Sequence, residues 1–178
     1  GASLVVSGSD DIDVQITVNN INLLLKNYGK TILTSRRSNL FSSRNSDITD
    51  LIEDMGKEKI GAILFWNTNP MYTLPNKSNF LEVLNNVPTK ISFSESLDET
   101  SIICDYVCPT TNYLESWGDF NPYTGFYSLQ QPTISPLFSS RQVQDSLLVW
   151  MDKTESYFNY LKSFINNNFS NNWNQMLH

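Results

Sequence analysis

The chain has 178 residues, 40% of them hydrophobic and 12% aromatic, enough for one full core and too few for two comfortable ones. Twelve Lys and Arg against eighteen Asp and Glu give a formal net charge of −6; with no basic stripe to neutralise phosphates, the balance argues against nucleic acid as a partner. No apolar stretch approaches the roughly 18–20 residues that cross a bilayer, and no charged segment leads into an apolar run at the N-terminus, so the piece is expected to be soluble, without direct membrane insertion, and its abrupt start at Gly1-Ala2 reads as that of a domain cut from a longer polypeptide.

"SLVVSG", residues 3–8, is β-branched, ends in Gly, and is followed by apolar residues at 12, 16, 21, 24 and 25. That pattern predicts a strand, a turn at Ser9-Asp10 and a helix stopped near Gly29. Residues 30–45 are rich in Ser, Arg and Asn and read as a loop with one short strand. "DITDLIEDMG" is a short helix opened by Ser46 or Asp47 and stopped by Gly56. "IGAILFW" is apolar throughout, as a parallel strand covered on both faces would be.

The turn Asn67-Thr68-Asn69-Pro70 follows, then a helical stretch from Pro75-Asn76 to Asn86. "TKISFS" reads as a strand, "SLDETSII" as a short helix with Ser96 or Asp98 at its start, and "CDYVCP" as a strand ended by Pro109. Repeated β-α-β predicts an α/β fold: a doubly wound, mostly parallel sheet with helices on both faces. Pro122, Gly125, Pro132 and Pro136 punctuate a long irregular segment, 110–140, with a hairpin around Tyr123-Thr124-Gly125, and helices are predicted over 141–151 and 157–169. The Asn-rich break "NNNFSNN" separates the last of these from "WNQML".

Most familiar chemistries lack their residues. The single histidine, His178, is terminal, which leaves no imidazole to hold beside a Ser or Cys nucleophile. There is no phosphate-loop motif, and Gly8 alone after the first apolar run is not a dinucleotide fingerprint. Cys104 and Cys108 would lie about 13 Å apart along a strand, too far to bridge; they read as core or semi-buried thiols, and no metal set accompanies them. Carboxylates remain, notably Asp98, Glu99, Asp105, Glu115 and Asp119. Their structural reading is that Asp98 caps a helix while Glu115 and Asp119 tie a loop to backbone amides. Trp117, in "YLESWGD", is expected to plug its loop onto the core, and the aromatic stripe of 157–169 to be buried.

Three phrases in order, "FWNTNPMYTLP", "SESLDETSIICDYVCPTTNYLESWGD" and "FYSLQQPTISPLFSSRQVQDSLL", resemble the molybdopterin-oxidoreductase-like iron-sulfur subunit of alternative complex III, a quinol:cytochrome c oxidoreductase. The resemblance runs over most of residues 3–178 and ends on W-x-x-x-L-H. It implies one α/β domain, residues 1–153, with a C-terminal helical extension, 154–178, leading to the next domain of an exported subunit on the periplasmic side of the bacterial inner membrane. In molybdopterin enzymes the equivalent turn lies by a guanine-dinucleotide pterin cofactor. That would place Asn67, Thr68 and Asn69 in a cofactor crevice, with Glu115 in the later loop. The alternative complex III branch carries no molybdenum cofactor there, and its iron-sulfur clusters belong to another portion of the parent chain. The resemblance therefore implies no catalytic residue, no metal and no cofactor in this piece, a relic turn, and sibling domains and other subunits of a membrane-attached respiratory complex as partners.

Overall fold

The computed structural model describes residues 2–40, 43, 45–169 and 173–177. His178 and part of the Asn-rich break lie outside them. The chain divides into two compact units, Gly1–Ser42 with Asn121–Tyr127, and Ser43–Phe120 with Ser128–His178. The boundary expected at 153/154 falls inside the second unit.

The first unit is built around α1 (Ile12–Leu24). Asp11 caps it by accepting from the amides of Asp13 and Val14. It ends at Leu24, before Gly29, and the chain then turns through left-handed Lys26 and Gly29 (φ 55° and 79°). Residues 3–8 do not form the expected strand. Their backbone partner is a side chain: Asn22 of α1, 2% exposed, accepts from the Val5 amide at 3.0 Å and donates to the Val5 carbonyl at 2.7 Å. One carboxamide thus meets both polar groups of an extended residue, as a neighbouring strand would. Asn27 donates to the Asn22 oxygen at 2.7 Å and accepts from the Ser3 hydroxyl. Among its described residues this unit buries no apolar side chain; Asn22 and Asn27 are what it buries.

The second unit holds the apolar core. α2 (Asn45–Gly56) stops at Gly56 as expected and leads to β1 (Ala62–Phe65). The turn after β1 opens α3 (Pro70–Thr73) at once, with Pro at its first position, and α4 (Lys77–Leu84) follows, capped by Asn76. β2 (Thr89–Ser92) and the two-residue β3 (Tyr106–Val107) complete a parallel sheet in the order β1-β2-β3. Between β2 and β3 the predicted helix is a single 3-10 turn, Ser101–Ile103.

Register explains the layers. Leu64 pairs with Ile91 and Phe65 with Ser92, so Phe65 and Ile63 face one way and Leu64 and Ile91 the other. On the first face Ile63 and Phe65 form one buried cluster with Met55 of α2 and Phe80 and Leu84 of α4. Phe65 and Phe80 meet edge to face, centroids 6.5 Å apart. The Phe93 amide extends the ladder to the Phe65 carbonyl at 2.8 Å, so Phe93 falls on the second face, where its ring lies 5.8 Å from Trp150 of α5 (Val143–Trp150). Helices therefore cover both faces, as a doubly wound α/β sheet requires, although Leu64 stays 43% exposed.

β4 (Gly118–Tyr123) and β5 (Phe126–Gln130) form the expected hairpin, turned at Gly125 with φ 85°. α6 (Tyr157–Asn168) buries Tyr157, Leu161 and Ile165, one residue per turn. α7 (Trp173–Met176) brings Trp173 against Phe158 and Trp117, and Trp117 sits 4.8 Å from Phe158 and 5.4 Å from Trp173. The loop tryptophan does plug its loop onto the C-terminal helices.

Candidate functional site

Beyond the carboxyl ends of the three parallel strands lies a cavity of about 520 Å³ within the second unit. In open α/β sheets this is where ligands are held, because the strand-to-helix loops diverge there and leave a crevice. Each strand delivers residues to it: Trp66 and Asn67 after β1, Glu95 after β2, Thr110 and Thr111 after β3. Tyr113 and Ser116–Asp119 form a second wall, closed by Gln130, Gln142, Gln144 and Tyr157.

The wall is held by its own polar groups. Ser116 donates its hydroxyl to the Asn112 carbonyl at 2.9 Å, so in the 2.6 Å contact between the Thr111 and Ser116 hydroxyls Thr111 is the donor. Gln142 donates to the Trp117 carbonyl at 2.6 Å, and Gln130 donates to the Tyr113 carbonyl. The Tyr157 hydroxyl donates to Asp119, and Asn112 donates to Glu95 at 2.9 Å.

The four residues singled out in sequence are placed differently from one another. Asn67, in the left-handed region at φ 52°, lines the cavity, while Thr68 is exposed and not part of the wall. Asn69 is engaged with its own scaffold: its amide donates to Glu99 at 2.7 Å and its oxygen accepts from the Thr100 hydroxyl at 2.7 Å. Glu115 closes a capping box with Asn112 and accepts from the Leu137 amide at 3.2 Å, so it ties the loop to backbone amides as the structural reading has it.

Asp98 and Asp105 are likewise bound by backbone amides, whereas Glu99 accepts from the Asn69 side chain and Asp119 from the Tyr157 hydroxyl. Asp98 caps the 3-10 turn through the amides of Thr100 and Ser101. Burial pushes its pKa up, but hydrogen bonds from Ser94, Ser101 and Thr100 together outweigh that and hold it below the usual carboxylate value. Asn69 is the main cause of a lowered pKa at Glu99, and the Lys90 backbone amide at Asp105. Of the acids named from sequence, Asp119 alone reaches the cavity. Burial, reinforced by Asp105 and Asp98, pushes the Cys104 thiol up to about 11, so it is a protonated packing residue at neutral pH. Both cysteines are free, and among the described residues no three His, Cys, Asp or Glu side chains gather as a metal set would.

Sequence reasoning missed Trp66, Glu95, Thr110 and Thr111. The strand-end rule that picked out Asn67, applied to the other two strands, finds them. For Gln130, Gln142, Gln144 and Tyr157 no local signal exists, since only folding brings the end of β5 and the starts of α5 and α6 to the wall.

No family model matches the chain. Over 91 residues it is 40% identical to the menaquinone reductase, molybdopterin-binding-like subunit of Nitratidesulfovibrio vulgaris (strain Hildenborough), covering 49% of this chain and 13% of that subunit. Among solved structures, acetylene hydratase from Pelobacter acetylenicus has a TM-score of 0.56 over 71% of this chain and 19% of its own length, at 22% identity, a likeness of fold alone. The chain thus spans a small part of either relative, and what the two comparisons support together is a molybdopterin-oxidoreductase-like α/β domain related to a quinone-reductase subunit.

Proposed function

We propose that this chain is a non-catalytic interaction domain of the molybdopterin-oxidoreductase-like iron-sulfur subunit of a respiratory quinol oxidoreductase of the alternative complex III type. It packs against sibling domains and neighbouring subunits on the periplasmic side of the membrane and so positions the redox centres carried elsewhere in the parent.

The observation that carries this reading is α1. At 100° per residue Ile12, Ile16 and Leu23 fall on one stripe and Val14, Val18, Ile21 and Leu25 on a nearly opposite one. Ile12 is 74% exposed, Leu24 81%, and Ile16, Leu23 and Leu25 are exposed as well. A helix apolar on two sides is an interior helix, and among the described residues of the first unit nothing apolar is buried beneath it. Each such leucine or isoleucine, once covered, contributes roughly 1.5–3 kcal/mol, a driving force that awaits a partner surface. The relative named as a subunit of menaquinone reductase supports a protein surface as that partner.

A molybdopterin guanine dinucleotide would enter the strand-end cavity, and the residues there fit it poorly. The pyrophosphate asks for Lys, Arg, a glycine-rich loop or a free helix N-terminus. Among the described residues the wall offers Glu95 and Asp119, no cationic side chain, and one helix start, at Gln142 of α5, whose first turn already carries Asp145; Asn69 and Glu115 are bonded elsewhere. This supports the turn as a relic rather than a working site.

Amide exchange tests the role of α1. Its amides are expected to exchange in the chain alone like those of a weakly held helix, and about tenfold or more slowly within the parent subunit, the difference that about 1.4 kcal/mol of added contact gives. Equal protection in both refutes the interface. Saturable stabilisation of the chain by guanosine diphosphate would instead revive the cofactor crevice.

A further inference from the structure

We infer that the cavity at the strand ends binds an organic cation, an ammonium or guanidinium group. Its lining combines the exposed aromatic side chains of Trp66 and Tyr113, and parts of Trp117 and Tyr157, with the carboxylates of Glu95 and Asp119, and among the described residues no Lys or Arg lines it. Aromatic faces present negative potential, and beside carboxylates in a concave wall they favour a weakly hydrated cation.

The hydrogen-bonding balance points the same way. The amides of Gln130 and Gln142 and the hydroxyls of Thr111 and Ser116 give their hydrogens to the protein itself, and Tyr157 gives its own to Asp119. These donors are engaged within the protein, and the Glu95 and Asp119 carboxylates give the wall negative charge, which suits a cationic ligand and not a phosphate.

One feature opposes this. Gln142 starts α5 at the wall without a side-chain cap, and a helix start there is equivalent to about half a positive charge. Asp145 in the first turn of α5 already faces that partial charge, and the two wall carboxylates exceed it. The inference concerns the second unit only and holds whether or not α1 is an interface.

Two probes separate the sources of such a cation: agmatine, a free amine, and the peptide Gly-Gly-Arg-Gly-Gly. Each is titrated into the whole chain while the indole N–H resonances of Trp66 and Trp117 are followed. Both indoles are expected to shift saturably, and binding to weaken about fivefold in Glu95→Gln, as the loss of one charge partner implies, and further as salt rises. The carboxamide introduced by that substitution can still accept from Asn112, and an unchanged melting curve for the variant confirms that the wall is intact. A peptide held about tenfold more tightly than agmatine assigns the cation to a partner polypeptide; equal binding assigns it to a free amine. Saturation by guanosine diphosphate at the same indoles, binding insensitive to Glu95→Gln, or no saturable shift with either probe overturns the inference.

Discussion

Replacing Asn22 by leucine separates two accounts of why the N-terminal segment lies where it does. Leucine is close in size to asparagine, favours helix slightly more, and would bury its side chain at a site 2% exposed. If apolar burial held this unit together, the change would stabilise it by roughly 1.5–3 kcal/mol. The structure predicts the opposite sign. Asn22 accepts from Val5 and Asn27 and donates to the carbonyls of Val5 and Val18, and leucine leaves the Val5 amide and carbonyl and the Asn27 amide without that partner. Each buried group so orphaned costs about 1–3 kcal/mol; partial access of water to the half-buried Val5 lowers the sum, and a net loss of about 2 kcal/mol remains, corresponding to roughly a thirtyfold larger open population. The Val5 amide reports it directly in hydrogen exchange, with amides of β1 in the other unit as the internal control. A Val5 amide protected as well as or better than in the parent chain would refute the reasoning.

Thr100→Val tests the turn after β1. Thr100, fully buried, donates to Asn69 and accepts from the Met71 amide at 3.1 Å, so valine should cost about 1–3 kcal/mol in a urea melt, and an unchanged midpoint would show that the turn does not need this anchor. Asp98 supplies a pH dependence. Its folded pKa lies below the unfolded value near 3.8, so its contribution is fully present above that value and is lost as pH falls through the folded pKa. Asp98→Asn should destabilise the chain at neutral pH and flatten its acid melting curve below about pH 4; parallel curves for the two proteins would contradict the capping role.

Helix α2 was legible because its acidic start and Gly56 stop are local signals, and the three parallel strands because their apolar runs end in turns. The strand expected over residues 3–8 failed for a reason that no pattern of apolar residues records: its partner is a single carboxamide seventeen positions away. Asn69 and Glu115 could not be told from Asn67 in sequence, because their partners lie 30, 31 and 22 positions away, in Glu99, Thr100 and Leu137. Only the folded chain decides which asparagine faces the crevice and which is consumed by the scaffold.

The two units use opposite materials. The second collapses around Met55, Phe65, Phe80 and Leu84 and sends its polar loops to the strand ends, an arrangement that stabilises itself. The first has Asn22, Asn27 and Ser3 bonded together and leaves most apolar residues of α1 exposed. A net hydrogen bond contributes only about 0.5–1.5 kcal/mol, while ordering each backbone residue costs roughly 1–2 kcal/mol. A polar centre of that kind fixes the shape of the unit while contributing little to its stability, and the proposed interface would add the remainder by covering α1. On the proposed reading, the apolar surface that folding leaves exposed on α1 is what association with a sibling domain would cover, so the helix that leaves the first unit incomplete by itself would serve a larger assembly.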